Sequence, residues 1–222
     1  MKIDILTLFP EMYNGFLSES IIKRAIEKKL VEVNVYNIRD YSTDPHKKVD
    51  DYGFGGGAGM VLMCQPIFDA VDALKKEDTK VILLTPQGMV YKQQIAYDLS
   101  KEKHIILICG HYEGFDERIR GIVDIELSIG DYVLTGGELP SMVISDSIIR
   151  LLDGVIEKES LSSESFNDNL FDYPQYTKPK IYKGMEVPDI LLSGHHENIR
   201  KWRIEQSKKK TMMVRPDLME GK

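Results

Sequence analysis

Two alternating residue patterns constrain the fold of this 222-residue chain more than any other feature. Short apolar runs rich in β-branched residues, typical of strands, alternate with stretches whose apolar residues recur at helical spacing. The predicted strands are 2–8, 31–38, 80–86, 104–110 and 124–130. The predicted helices are 18–30 with Ser18 as its N-cap, one from about 65, 91–101, a short one at 115–123, and 139–155. The pattern predicts an α/β fold, a parallel sheet with helices on both faces.

Residues 156–174 interrupt this alternation with an acidic stretch rich in serine and asparagine. We therefore predict a main domain over 1–158, an interdomain linker over 159–174 and a small, mostly helical domain over 175–222. Charge divides in the same way, because 175–215 holds ten basic and four acidic residues while 1–174 holds 18 basic and 29 acidic. A basic segment is the footprint of nucleic-acid binding, but an ordinary solvated helix face has the same composition.

The sequence holds no apolar run of about 18 residues, so no transmembrane helix is predicted. The apolar stretch that follows Met1 is too short for a signal peptide and fits a first strand better. Cys64 and Cys109 lie in apolar segments without CxxC spacing. They are predicted to be buried, reduced thiols of a cytoplasmic protein.

The stretch "DYGFGGGAGMV" at 51–61 contains five glycines in eleven residues. It holds the pattern GxGxxA in Gly53, Gly55 and Ala58, with Asp72 further on, as in dinucleotide-binding enzymes. Such a loop, however, follows directly on a strand and opens a helix. Here about a dozen polar residues precede the first glycine, so dinucleotide binding is rejected. A long, mobile, glycine-rich binding loop is predicted instead.

Three further polar loops that contain glycine follow predicted strands, at 85–91, 109–119 and 129–140. In a parallel α/β sheet, loops at the carboxyl ends of the strands line the ligand crevice. The loops are rich in backbone amides and carboxylates and poor in basic residues. This composition favours a neutral or cationic small ligand over a polyphosphate.

The loops also carry specific motifs: "FGGGAGM", "TPQG", "CGHYEGFDERI", "IGDYVLTGGELP", "SFNDNLFDYPQYTKP" and "VPDILLSGHHENIRKWR". In this order they closely resemble bacterial tRNA (guanine-N1)-methyltransferases of the TrmD type, over Met1 to about Leu218. The resemblance implies a SPOUT fold with a deep C-terminal trefoil knot that binds S-adenosylmethionine. It also implies an obligate homodimer whose active site is shared between subunits. The implied substrate is guanine 37 of tRNA, 3′ of the anticodon, when guanine precedes it.

By the same resemblance, a set of loop residues binds the cofactor. They are Leu84, Thr85, Pro86, Gln87, Gly110, Tyr112, Glu113, Ile129, Gly130, Tyr132, Leu134, Gly136, Gly137 and Pro140. Asp50, Tyr52, Gly55, Gly57 and Gly59 are assigned to the target guanine. The basic residues Lys178, Arg200, Arg203 and Lys208 would bind phosphates of the anticodon stem-loop. Trp202 fits either a core position or a stack on a base, and its spacing with Ile199 favours the core.

The chemistry requires a base, because guanine N1 carries a proton at neutral pH, and a group that stabilises charge on O6. Asp168 matches the family's base and Arg150 the arginine that assists it. Without the resemblance, Asp168 would be interpreted as a solvated turn residue, and a surface charge would explain Arg150 equally well. Glu113, also placed in the catalytic set, would bind the methionine ammonium or a divalent cation. A role for Mg²⁺ is implied by the family alone, since no metal-ligand spacing indicates it.

Three departures from the family pattern are visible: Asn169 where glycine commonly follows the aspartate, His195 where asparagine is common, and an end soon after Leu218. None removes a proposed catalytic group. Two alternatives remain open at this point. One is a knotted methyltransferase acting on a ribose 2′-hydroxyl or on ribosomal RNA, and the other is a non-catalytic RNA-binding module.

Overall fold

The computed structural model describes residues 1–157, 161, 164–166 and 169–219. The chain forms two units, Met1–Ile156 and Glu157–Lys222. The predicted linker falls within the second unit, and the division into domain, linker and small domain stays a prediction. No helix in the described part of the chain is long and apolar enough to cross a membrane.

The first unit is built on one parallel sheet. The strands of the unit are β1 (Lys2–Thr7), β2 (Glu32–Asn37), β3 (Asp50–Asp51), β4 (Val61–Leu62), β5 (Thr79–Val90), β6 (His104–Cys109) and β7 (Ile125–Ser128), of which β3 and β4 form a separate antiparallel pair. Its helices are α1 (Asn14–Ser18), α2 (Ser20–Glu27), α3 (Cys64–Leu74), α4 (Gln93–Leu99) and α5 (Glu138–Ile149). The main sheet has the order β2–β1–β6–β5–β7, with every neighbouring pair parallel.

Strand periodicity produces a core on each face of this sheet. Along β6, Ile105 and Leu107 point to one face, while Ile106 and Ile108 point to the other. Side chains of α2, α4 and α5 cover the first face, and α3 covers the second. Both faces are buried because strands of this type are apolar throughout. The α/β fold with a parallel sheet and helices on both faces is therefore confirmed.

Several element ends differ from the prediction. Ser18 is not an N-cap: it ends α1, where its hydroxyl donates to the Gly15 carbonyl at 3.4 Å, and α2 begins at Ser20 after Glu19. The helix predicted over 139–155 ends at Ile149. The helix predicted over 115–123 is a 3-10 helix, Glu117–Ile122. Cys109 is buried as expected, but Cys64 is only partly so, and both thiols are free.

A polar cluster closes the amino end of the sheet. Asp4, which is fully buried, accepts from His104 Nε2 at 2.9 Å and from Asn34 Nδ2 at 2.9 Å. Thr79 Oγ1 lies 2.7 Å from His104 Nδ1, and Lys2 Nζ donates to Asp4 at 2.7 Å. The cluster thus joins β2, β1, β6 and β5 through side chains that serve as one another's partners, as buried polar groups require.

The second unit contains a short antiparallel hairpin and a long helix. These are β8 (Ile181–Tyr182), β9 (Met185–Glu186) and α6 (His196–Val214). The helix was predicted over 195–210, whereas the hairpin was not predicted. Among the described residues of this unit, the buried side chains are Ser207 and Thr211, both polar. The Thr211 hydroxyl accepts the Phe171 amide at 2.8 Å, so α6 is tied to the preceding segment by a hydrogen bond.

Candidate active site

A cavity of about 400 Å³ lies at the carboxyl end of the sheet. A break within β5 and the loops that follow β6 and β7 line it. All fourteen residues that the resemblance assigns to the cofactor are among its lining: Leu84, Thr85, Pro86, Gln87, Gly110, Tyr112, Glu113, Ile129, Gly130, Tyr132, Leu134, Gly136, Gly137 and Pro140. The structure thus brings them round one space, and their role in binding stays a prediction.

The first wall comes from a break in the pairing of β5 with β7. Leu84 and Met89 both pair with Leu127, so the residues between them leave the ladder and face the cavity. The side chain of Gln87 is held outside the ladder by Arg120, whose Nη2 donates to Gln87 Oε1 at 2.5 Å. Arg120 is in turn anchored on Glu126 of β7.

The second wall is the segment after β7, which returns against the end of β6. The Gly137 amide donates to the Gly110 carbonyl at 2.8 Å, and His111 pairs with Gly136 as an isolated bridge. A Cβ on Gly137 would lie 2.6 Å from the Cys109 Cα, closer than real side chains approach. Only glycine allows two backbones to touch at this point.

Buried polar side chains at the start of α5, directly after this wall, hold it against the rest of the unit. Glu138 opens α5, is 3% exposed, and accepts from the Thr7 hydroxyl at 2.7 Å. The Tyr13 hydroxyl lies 2.6 Å from Ser141 Oγ and 3.4 Å from Cys109 Sγ. Burial raises the pKa of the Cys109 thiol to about 12 and also raises the pKa of Tyr13. Both groups are therefore neutral at physiological pH.

The glycine-rich loop is a hairpin rather than a free loop. Its base is the antiparallel pairing of β3 with β4, in which Asp50 lies opposite Leu62. Beyond that base, Tyr52, Gly55 and Gly57 are exposed. Gly59 has φ +82°, and a Cβ there would lie 2.4 Å from Glu113 Cγ. The loop backbone at Gly59 thus passes directly beside the Glu113 side chain. Asp50, Tyr52, Gly55 and Gly57 lie on the same hairpin.

The exit of the hairpin is fastened to the loop after β6. The Glu113 amide donates to the Met60 carbonyl at 3.1 Å, and the Leu62 amide donates to the Gly114 carbonyl at 2.9 Å. The glycine hairpin and the 113–116 segment therefore form one connected structure beside the cavity.

Comparison with known proteins gives a consistent result. A family profile described as tRNA (Guanine-1)-methyltransferase TrmD matches residues 1–221. A protein of Dictyoglomus turgidum is 57% identical over 221 residues, 99% of this chain and 90% of that protein. One of Ruminiclostridium cellulolyticum is 59% identical (98% and 96%), and one of Ureaplasma urealyticum 58% (98% and 96%). All three are named tRNA (guanine-N(1)-)-methyltransferase.

The chain belongs to this family. It is an enzyme, a tRNA (guanine-N1)-methyltransferase. The non-catalytic module and the ribose methyltransferase, left open by the sequence, are thereby set aside.

Of the methyltransferase's predicted catalytic residues, Glu113 lines the cavity and Arg150 does not. Arg150 is the C-cap of α5, at the opposite end of that helix from Pro140. Asp168 falls outside the described residues. Asn169, the departure from glycine beside it, has φ +59°, a left-handed conformation that asparagine tolerates better than most residues. This substitution is thus compatible with the backbone of the glycine it replaces.

The predicted RNA-binding residues of the methyltransferase differ in their surroundings. Lys178, Arg200 and Lys208 are exposed. Arg203 is only partly exposed, and its guanidinium lies 4.4 Å from the centre of the Tyr173 ring. Arg203 therefore contributes to packing within the second unit, which its sequence position did not indicate.

Sequence reasoning missed several cavity residues, chiefly His111, Phe115 and Arg120. His111 packs against Phe9, with ring centres 4.9 Å apart, and its Nδ1 is buried without a partner in the described chain. His111 and Phe115 stand within a quoted motif and carried the signal already. Arg120 carried none, because it lies one residue beyond that motif.

The described residues contain no group of three or more His, Cys, Asp or Glu side chains that could hold a metal ion. The lining carries the carboxylates of Glu113 and Glu117 and one guanidinium, that of Arg120. Glu117 and Glu126 are both paired with that guanidinium, so Glu113 is the lining carboxylate that suits a cationic ligand.

Proposed function

We propose that this methyltransferase modifies N1 of guanine 37 of tRNA, the base 3′ of the anticodon, when the preceding base is also guanine. The observation that carries the proposal is that every residue expected to bind the cofactor lines one and the same cavity. S-adenosylmethionine would be the methyl donor, giving 1-methylguanosine and S-adenosylhomocysteine.

The cavity fits this donor in size and in chemistry. Pockets for small molecules typically measure about 300–1,000 Å³, and this one measures about 400 Å³. Its walls offer backbone amides and carbonyls at close range, because Gly110, Gly136 and Gly137 carry no side chains. When bound, the donor supplies a methyl group on a positively charged sulfonium. Glu113 is placed to attract the positively charged methionine end of the molecule.

We infer the trefoil knot from the path of the chain at this end of the sheet. The segment after β7 crosses back onto the end of β6, where the Gly137 amide binds the Gly110 carbonyl. From there the chain enters α5, which packs on the sheet face that α2 and α4 share. The SPOUT fold requires a crossing of this kind, since it draws α5 through the loop at 85–88, where the chain leaves the pairing of β5 with β7.

The protein's part in the reaction is to move a proton and to hold charge. Asp168 accepts the N1 proton of guanine, which frees the lone pair for methylation. Arg150 stabilises the negative charge that develops on O6, and its guanidinium helps to keep Asp168 ionised. The leaving group departs neutral, so no general acid is needed.

The position of Arg150 supports a site shared between two subunits. The helix α5 has 12 residues, so its ends lie about 18 Å apart. Pro140 lines the cavity at one end, and Arg150 caps the other. One guanine cannot contact both within a chain. In a homodimer, Arg150 and Asp168 of one subunit would serve the cavity of its partner.

The second unit would bind the anticodon stem-loop through its exposed lysines and arginines, chiefly Lys178, Arg200 and Lys208. The glycine hairpin, with Asp50 at its base and Tyr52 just beyond it, would approach the flipped-out guanine. Mg²⁺, where it takes part, would be held by Glu113 together with substrate oxygens and water, because Mg²⁺ retains several waters. The free thiols of Cys64 and Cys109 suit the reducing cytoplasm.

Transfer of a labelled methyl group to an unmodified tRNA transcript with guanines at 36 and 37 tests this function. Digested wild-type product should carry the label in 1-methylguanosine. Asp168→Asn should lower the rate at least about a hundredfold, as loss of a general base does. Asp189→Asn, an exposed acid in the same unit, is the control and should retain the wild-type rate. Label on a ribose, or full activity of Asp168→Asn, would contradict the proposal.

Mixed dimers test the sharing of the site. Asp168→Asn subunits, co-expressed with subunits whose cavity is blocked, should recover about a quarter of the wild-type rate, because half of the dimers then hold one complete site. Sites confined to single chains would give no recovery.

A further inference from the structure

The hairpin of β8 and β9 is exposed throughout, although it carries large apolar side chains. All six residues from 181 to 186 are exposed. Ile181 is 53% exposed, Tyr182 58% and Met185 67%. An isolated two-stranded hairpin is marginally stable in water. A cluster of exposed apolar groups on such a hairpin indicates a binding surface.

The two faces of this hairpin differ in chemistry. Tyr182 lies directly opposite Met185, so the two side chains share one face, while Ile181 shares the other with Glu186. Lys183 Nζ lies 5.5 Å from the centre of the Tyr182 ring. The face of Tyr182 and Met185 therefore offers an aromatic plane, a flexible apolar side chain and a cation within one small area.

We propose that this face binds an unpaired nucleotide of the tRNA, whose base stacks on Tyr182 and Met185 while Lys183 contacts a neighbouring phosphate. Aromatic rings are the common platform for unpaired bases because every base has a π-face. The inference rests on the proposed function. Guanine N1 lies on the Watson–Crick edge, so the target must be unpaired when it reacts, and unpaired neighbours are then within reach.

Charge favours RNA over a second copy of the chain as the occupant. Lys178, Lys180 and Lys183 precede or form the hairpin, and no acid lies among them until Glu186. Lys180 is paired with Asp189, whereas Lys178 and Lys183 form no ion pair with the described residues. Two copies of this face meeting across a two-fold axis would bring like charges together.

The test is the dissociation constant of the unmodified tRNA transcript, measured over a series of salt concentrations. Tyr182→Ala should weaken binding about tenfold, equivalent to 1.4 kcal/mol, and Tyr182→Phe should restore it because the ring is retained. Met185→Ala should weaken binding about threefold. Met213→Ala is the matched control, since Met213 is 69% exposed on α6, and it should bind as the wild type does.

Salt dependence separates the two kinds of contact. Lys183→Ala should reduce the slope of log K against log salt by about 0.7–0.9, the loss of one phosphate contact. Tyr182→Ala should leave that slope unchanged while lowering affinity at every salt concentration. Replacing loop nucleotides of the tRNA one at a time by abasic residues should identify one position at which Tyr182→Ala has no further effect.

Wild-type affinity in Tyr182→Ala would overturn the inference, and so would a loss of affinity that follows dissociation of the protein seen by sedimentation. Because these measurements use binding and not methyl transfer, they fail separately from the proposed function. A wild-type enzyme that labels another nucleotide would contradict the function, whereas intact binding in Tyr182→Ala would contradict only the hairpin's role.

Discussion

The two ends of the parallel sheet are built from different residues and serve opposite purposes. At the amino end, the polar side chains of Asp4, His104, Thr79 and Asn34 are partners of one another. At the carboxyl end, the chain places glycines and backbone where side chains would otherwise pack, and a cavity of about 400 Å³ remains. Strand β6 spans both, from buried His104 to buried Cys109.

The difference teaches how one sheet separates stability from function. Polar groups that satisfy one another inside the protein stabilise it and have nothing left for a ligand. His111 Nδ1 is buried without a partner in the described chain, so a group of this kind gains a hydrogen bond only when a ligand supplies the partner. Changes at the amino end should therefore affect unfolding, and changes at the carboxyl end should affect binding.

The largest effect is expected at the amino end. Asp4→Ala removes the common partner of His104, Asn34 and Lys2, and should lower the free energy of unfolding by about 3–5 kcal/mol, as loss of a buried partner does. Urea unfolding measures this. The folded fraction should retain its KM for S-adenosylmethionine. Asp98→Ala, which breaks an exposed pair with Lys101 and an exposed hydrogen bond from Gln94, is the control and should cost no more than about 1 kcal/mol.

At the carboxyl end, Gly137→Ala should weaken S-adenosylmethionine binding about 10- to 100-fold. The added Cβ would meet the Cys109 Cα at 2.6 Å and push the two backbones apart, a cost of about 1–3 kcal/mol. Calorimetric titration measures it. Gly121→Ala has open space around its Cβ, and binding should not change. Equal losses in both variants would show that the contact is unimportant.

A smaller effect is expected from Arg120→Met, which releases Gln87 from its position beside the cavity. The KM for S-adenosylmethionine should rise about tenfold, the value of one charged hydrogen bond, while kcat stays within twofold. Arg24→Met, on the exposed side of α2, should change neither. A fall in kcat with an unchanged KM would assign Arg120 to the chemistry and not to positioning.

The smallest effect is expected from pH. Burial raises the pKa of Cys109 from 9.0 to about 12, so the folded protein holds this proton more tightly than the unfolded chain. Its contribution is complete below pH 9 and is lost as the pH rises towards 12. At pH 10 the loss should be on the order of 1 kcal/mol. Cys109→Ala should remove that part of the difference between urea unfolding at pH 8 and at pH 10; an unchanged difference would point to another group.

The sequence predicted the parallel sheet and the loops of the site, because apolar strands and glycine-bearing turns are local patterns. It did not predict the hairpin that holds the glycine loop, since β3 and β4 have only two residues each and gain their partners from the 113–116 segment. The positions of Arg120 and Arg203 were missed for a similar reason. Each is fixed by a contact distant in sequence, with Gln87 in one case and Tyr173 in the other.

The double pairing of Leu127 has a thermodynamic consequence. Because Leu84 and Met89 both pair with that residue, the residues between them bulge out of the sheet, and the hydrogen-bonded ladder holds this bulge at both of its ends. Side chains cannot collapse into it without breaking the sheet, so this wall is already in place before any ligand arrives. A ligand that enters such a space loses its own freedom but need not order the protein, and the entropy saved appears as affinity.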